Sequence, residues 1–170
     1  MKYILKSCFA LIILLSVSNI VSAQKFGHIN SAELLSQLPA WKAAEKELAT
    51  FSKQKESQLT NLQQDYATKV EKLQGDIQSG IITKVEEQTR TEELYAMQQK
   101  MQEFSANAQQ EVLQKEQSLT TPIIDKIKSS IDAVAAEGGF KYIFDTSTGV
   151  LLYFPPADDV TSMVKSKLGM

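Results

Sequence analysis

The sequence predicts an α+β protein. A small β-barrel or sheet body is completed by association of several copies, and a long antiparallel helical hairpin projects from it as a coiled-coil-like arm. Three observations predict this. Apolar residues recur at helical spacing over 36 residues, from Trp41 to Ile77, which is too long for a helix buried in a compact domain. Short apolar strand-like segments lie only near the two ends of the chain. Those end segments are too few to close a core alone, and the exported chain has no cysteine to staple it.

The chain opens with a basic n-region at Lys2 and Lys6, an apolar run from Phe9 to Val17, and the small-residue site Val21-Ser22-Ala23. This reads as a secretory signal peptide, residues 1–23, cut after Ala23. The apolar run is short of the roughly 20 residues that cross a bilayer, which argues against an uncleaved anchor. Cys8 lies before the run, not at the cut, which argues against a lipoprotein. Removing 23 of the 170 residues leaves 147, and losing Lys2 and Lys6 takes the net charge from −2 to −4. The only cysteine is lost with them, so disulfide and thiolate chemistry are excluded. A single histidine, His28, excludes a His-pair metal site, and net acidity gives nucleic acid no electrostatic case. No Ser/His/Asp set and no phosphate-cradling glycine loop is present. The reading is of a non-enzyme without metal or cofactor.

Phe26-Gly27-His28-Ile29-Asn30 alternates apolar and polar residues as a short strand does. Asn30 or Ser31 can cap a short helix carrying Leu34, Leu35 and Leu38, and Pro39 suits the first position of the next helix. That next helix carries the long stripe: Trp41, Ala44, Leu48, Phe51, Leu59, Leu62, Tyr66, Val70, Leu73 and Ile77, with Lys55 filling the one gap. The mean step of 3.6 is that of a nearly straight helix with a loose seam, not the 3.5 of a tight supercoil. Ala40 to Ile77 would reach about 57 Å at about 1.5 Å per residue. Gly75 and Gly80 bracket the turn signal of the arm tip, near 75–82.

Thr83, with Glu86 three residues on, reads as the capping box of a return helix. It runs through Val85, Leu94, Met97, Met101, Phe104, Ala108, Val112 and Leu119 to Glu137. The return leg is longer than the outgoing one. Its excess, from Pro122, carries Ile123, Ile124, Ile127, Ile131 and Val134, a face wide enough to need a core. Pro122 marks the junction, where the helix can kink. Gly138 is placed as the left-handed cap. Phe140 to Asp145 reads as a strand, Thr146 to Gly149 as a hairpin loop, and Val150 to Phe154 as a second strand apolar on both faces. Pro155-Pro156 ends it. Asp158 or Asp159 then caps a last helix, Val160 to Leu168. The division is a signal peptide (1–23), a body (24–39 and 122–170) and an arm (40–121).

The body has about 64 residues, fewer than the roughly 70–80 that usually sustain a core without staples. A strand apolar on both faces needs cover on both, and open edges invite other chains. The residues assigned to self-association are Phe26, Ile29, Phe140, Tyr142, Phe144, Val150, Leu152 and Phe154. His28, between apolar strand positions, reads as a residue of this barrel, and Trp41 as a packing anchor where the arm leaves it.

These residues resemble the Skp/OmpH family of periplasmic chaperones. The likeness is concentrated at Phe26-Gly27-His28-Ile29-Asn30-Ser31, at Glu137-Gly138-Gly139-Phe140, at Tyr142-Ile143-Phe144-Asp145 with Gly149-Val150-Leu151-Leu152-Tyr153, and at Asp158-Asp159-Val160-Thr161. The resemblance implies a homotrimer whose three arms enclose a cavity. It would hold unfolded outer-membrane proteins soluble in the periplasm without ATP, with transient contact with the membrane surface. The arm departs from the family's basic character. The two long helices together, from Ala40 to Glu137, carry 12 Lys and Arg against 16 Asp and Glu, so apolar contact and confinement would carry more of the capture.

Phe51, Leu59, Leu62, Tyr66, Met97, Met101 and Phe104 are the candidate client contacts, with Ile81 and Ile82 at the tip. Adaptable, modestly apolar surfaces suit varied partners. The competing reading makes the stripe the hairpin's own seam and packs the Ile pair against Ile77; a loose seam allows both. The rival function is an exported coiled-coil tether of the envelope with one specific partner.

Overall fold

The computed structural model describes residues 24–170, so the signal peptide expected at residues 1–23 lies outside the described residues. The chain enters as strand β1 (Lys25–Ile29). Asn30 then caps helix α1 (Ser31–Gln37) by accepting from the Glu33 N–H at 3.0 Å. Leu38 is extended, and Pro39 takes the first position of helix α2 (Pro39–Gln78). A proline there gives up an N–H that had no partner within the helix.

Helix α2 has 40 residues and so extends about 60 Å. It runs through Gly75, which the sequence placed in the tip turn. The turn is instead made by Ser79 and Gly80, with Gly80 left-handed at φ 64°. The Gly80 N–H donates to the Ile77 carbonyl at 3.1 Å and the Ile81 N–H to the Asp76 carbonyl at 3.2 Å. This paired closure is how a left-handed glycine ends a helix. Only one glycine is needed for it, which leaves Gly75 helical.

Helix α3 (Lys84–Gly138) starts on the predicted capping box. Thr83 N–H donates to Glu86 Oε2 at 3.0 Å, and Glu86 N–H to Thr83 Oγ1 at 3.3 Å. The helix continues through Pro122, whose ring lies on an exposed face. Its cap is Gly139, left-handed at φ 67°, one residue later than predicted. Gly138 is helical and has another use. A Cβ there would lie 2.4 Å from the Phe140 ring, and one on Gly27 would lie 3.1 Å from it. Two glycines thus make the seat of Phe140, and Lys25 covers it with Nζ 4.1 Å above the ring, donating to the Gly138 carbonyl at 3.1 Å.

Strand β2 (Phe140–Asp145) pairs in parallel with β1, in the register Gly27↔Ile143, His28↔Phe144 and Ile29↔Asp145. The entire arm is therefore the crossover of this parallel pair. The predicted hairpin is not formed. Thr146–Thr148 is a 3-10 turn closed by left-handed Gly149, and among the described residues Val150–Phe154 joins no ladder. The physical reason is the partner. β2 pairs with β1 alone, and the next pairing the chain makes after the turn is with β1, not with β2. A second 3-10 turn (Pro156–Asp158) leads to the bridge His28↔Asp159 on the far side of β1. Helix α4 (Thr161–Leu168) follows, one residue after the predicted start; its N-cap is Val160, which makes no side-chain cap bond, rather than Asp158 or Asp159, although Asp159 Oδ1 accepts from the Thr161 N–H at 2.7 Å.

The core gathers Ile29, Leu34, Leu38, Ile127, Val134, Val160, Val164 and Leu168, bordered by Trp41, Ile123, Ile131 and Phe140. The excess of α3 supplies Ile127 and Val134 to it, as a wide apolar face requires. Ile124 turns outward instead.

Candidate functional site

Among the described residues two surfaces remain apolar after the chain has folded: the arm and one side of the body. In the arm, α2 and α3 pack side by side as a hairpin. Along α2, only Ala44 and Leu73 are buried. Phe51, Leu59, Leu62 and Tyr66 are half-buried, as are Met97, Met101 and Phe104 on α3. A two-helix seam cannot enclose its residues, because each is covered from one direction only. The candidate contacts therefore lie in the seam and at its surface together.

Lys55 occupies the seam position that breaks the apolar stripe. Its ammonium pairs with Glu111 and lies 5.2 Å and 5.9 Å from the ring centroids of Phe51 and Phe104. The methylenes pack as a hydrophobe would while the charge keeps partners. Beside it a groove of 540 Å³ opens between the helices, walled by Leu59, Phe104, Ala108, Val112 and Leu113. Glu47 and Lys115 pair across the helices at 2.5 Å, as do Asp76 and Arg90 near the tip. The cross-links are thus ionic and the cover is thin.

At the tip, Ile81 is 72% exposed and Val85 75%. Ile77, expected to cover the Ile pair, is itself exposed, and Ile82 is half-buried. Tyr95 and Leu113, both exposed, escaped the sequence reading. Each follows a seam residue, Leu94 or Val112, and one residue is about 100° around a helix. The signal available was a large apolar residue just off the stripe.

On the body, Phe26, Tyr142 and Phe144 form an exposed ring cluster, with centroids 5.9 to 6.3 Å apart. Val150, Leu152 and Tyr153 are 81%, 97% and 81% exposed. Ile29 points into the chain's own core and Phe140 borders it, so these two of the assigned set face inward. His28 is buried, with Nε2 2.9 Å from the Pro155 carbonyl and its ring 4.5 Å from that of Phe154. Asp145 accepts from Ser31 Oγ at 2.5 Å and from the Ser31 and Ser147 N–H groups. Burial raises the Asp145 carboxyl, but the hydrogen bonds from Ser31 and Ser147 outweigh it and hold it below its ordinary value. Glu86 is engaged in the capping box with Thr83 at the start of α3. Among the described residues no helix is long and apolar enough to cross a membrane.

Comparison with known proteins agrees with this geometry. The family model described as outer membrane protein (OmpH-like) matches residues 25–168. Chaperone protein Skp of Yersinia enterocolitica is 28% identical over 153 residues, covering 88% of this chain and 89% of the relative. The protein of the same name from Photorhabdus laumondii is 29% identical over 146 residues, 84% of each chain. A solved structure from Caulobacter crescentus, described as an OmpH-like outer membrane chaperone, superposes with a TM-score of 0.74 at 19% identity, covering 85% of this chain and 83% of that one.

Proposed function

The chain belongs to the OmpH-like family, and from that premise we propose that it is an ATP-independent holdase. It binds unfolded outer-membrane proteins in the cavity between the arms of a homotrimer and keeps them soluble in the periplasm for delivery to the outer membrane. The signal peptide directs export and is removed after Ala23. The relatives' description as chaperones supports the reading.

The observation that carries it is the arm. It projects about 60 Å from a small body and displays a seam that is half-buried along most of its length. A holdase without a motor must grip many sequences weakly, through adaptable apolar surface rather than a fixed pocket. Phe51, Leu59, Leu62, Tyr66, Met97, Met101 and Phe104 offer that surface, and Ile81 and Ile82 offer more at the tip. Fourteen glutamines between residues 40 and 121 dilute it, which keeps the free arms from adhering to one another.

Trimerisation through the body is the second part of the proposal. Phe26, Tyr142, Phe144, Val150, Leu152 and Phe154 would be covered by neighbouring copies, and Ile29 and Phe140 hold the strands that present them. The acidic arm makes apolar contact and confinement the main source of capture, with contact with the membrane surface transient. Replacing Phe51, Tyr66 and Met101 together with Gln tests the reading. Aggregation of an unfolded outer-membrane protein should be suppressed less well, with the oligomer intact. Unchanged suppression overturns the assignment of these residues. Binding to one envelope protein, and to none of several unrelated unfolded barrels, would replace the holdase with a tether.

A further inference from the structure

The apolar segment Val150–Phe154 joins no ladder in the chain, yet it is held at both ends. At its start, the Asp145 carboxylate accepts from the Ser31 N–H at 3.2 Å, from Ser31 Oγ at 2.5 Å and from the Ser147 N–H at 2.9 Å. Ser31 Oγ lies 3.2 Å from Ser147 Oγ as well. At its end, His28 Nε2 lies 2.9 Å from the Pro155 carbonyl, which can only accept, so Nε2 carries the proton. The Phe154 ring lies against the imidazole, with centroids 4.5 Å apart. Both holds come from one short stretch of the same strand and cap, His28 to Ser31. That stretch is itself fixed by the β1–β2 ladder and by the core, where Ile29 is 2% exposed.

We propose that His28 and the Ser31–Asp145 pair are positioning residues for self-association, two clamps that hold residues 146–155 in the shape a second copy of the chain receives. This rests on the self-association proposed above. A loop carrying Val150, Leu152 and Tyr153 in water gains nothing from its exposed side chains. Left untethered, it would sample many conformations, and a partner copy would have to order it on binding. Fixing a residue's backbone costs conformational entropy, and preorganisation removes that cost from the binding step. The occupant is another copy of this chain because the segment continues a face already open on β2. The ring cluster of Phe26, Tyr142 and Phe144 lies there, and a sheet edge beside an unpaired strand-length segment suits strand exchange. His28, the sole histidine, thus acts as a structural donor at an assembly surface.

The test uses the mature full chain with three variants. His28→Phe keeps an aromatic ring against Phe154 and removes the donor to Pro155. His28→Gln restores a donor without the ring. Ser31→Ala removes the hydroxyl from Asp145 and leaves the backbone bond. Sedimentation over a dilution series gives the protomer concentration at which the assembly dissociates. Circular dichroism and thermal unfolding confirm that each variant folds. H28F and S31A should each raise the dissociation midpoint about tenfold, and the double variant more, with helix content unchanged; H28Q should recover most of the loss.

Chymotryptic cleavage after Leu152 and Tyr153 supplies a second readout, independent of assembly. At equal association state the double variant should be cut at least fivefold faster. Midpoints and cleavage rates equal to those of the unmodified chain overturn the clamps and leave self-association standing. An unmodified chain that stays monomeric at every concentration overturns self-association, and the cleavage ratio then decides the clamps alone.

Discussion

Lys55 offers the sharpest probe of how the arm is held together. Its side chain is 21% exposed and its partner Glu111 is 48% exposed, in a seam position where every neighbouring repeat is apolar. Consider Lys55→Leu. Burying about four-fifths of a leucine side chain is worth about 1–2.5 kcal/mol, but the lysine methylenes already occupy much of that space. Lost are a half-exposed ion pair, about 0.2–1 kcal/mol, and two cation–π contacts at 5.2 Å and 5.9 Å, about 0.5 kcal/mol each at such a site. The net change should fall within about 1 kcal/mol of zero. The seam, however, becomes continuous from Phe51 to Leu59, beside the groove of Leu59, Phe104 and Val112. Urea unfolding at fixed protomer concentration measures the first effect. Hydrogen exchange along the arm and suppression of client aggregation measure the second. Exchange should slow around residues 51–62 and suppression should weaken. A loss of more than about 2 kcal/mol would show instead that the pair is a stabilising element and not a break in the seam.

Three further outcomes follow from the same contacts. Gly138→Ala should destabilise the body by about 1 kcal/mol, reversing the gain a helical Gly→Ala change ordinarily gives, because the new Cβ meets the Phe140 ring at 2.4 Å; a raised urea midpoint would contradict the Phe140 seat. Thr83→Ala removes one side of the capping box and should cost about 1 kcal/mol, seen as faster exchange in the first turn of α3. The lowered carboxyl of Asp145 has its unfolded counterpart near the ordinary aspartate value, so its contribution is complete above about pH 4 and disappears as pH falls through the folded value. Urea midpoints should therefore drop below about pH 4, and S31A should flatten that drop; an equal slope in both proteins would remove Asp145 from the account.

Much of the fold was legible because it is written in local rules. The stripe from Trp41 to Leu73, the Thr83–Glu86 cap, the Asn30 cap and Pro39 each follow from residue chemistry within a few positions. What the sequence misplaced depends on contacts between distant segments. Gly138 and Gly139 are equivalent as caps by type, and only the seat of Phe140 against Gly27 separates them. Val150 to Phe154 has the apolar residues of a strand, but a strand needs a ladder partner, and among the described residues the segment has none. The same omission explains the site. Ile29 and Phe140 were grouped with the exposed aromatics because alternation along a strand does not say which face the core covers. Tyr95 and Leu113 were missed because a stripe-based reading discards what lies beside the stripe.

The most direct test of the account is the solution mass of the mature protein, alone and with one unfolded outer-membrane protein. The expected result is a particle of three chains that takes up a single client and keeps it soluble. A monomer at every concentration, or a three-chain particle whose mass is unchanged by the client while the client aggregates, would contradict it.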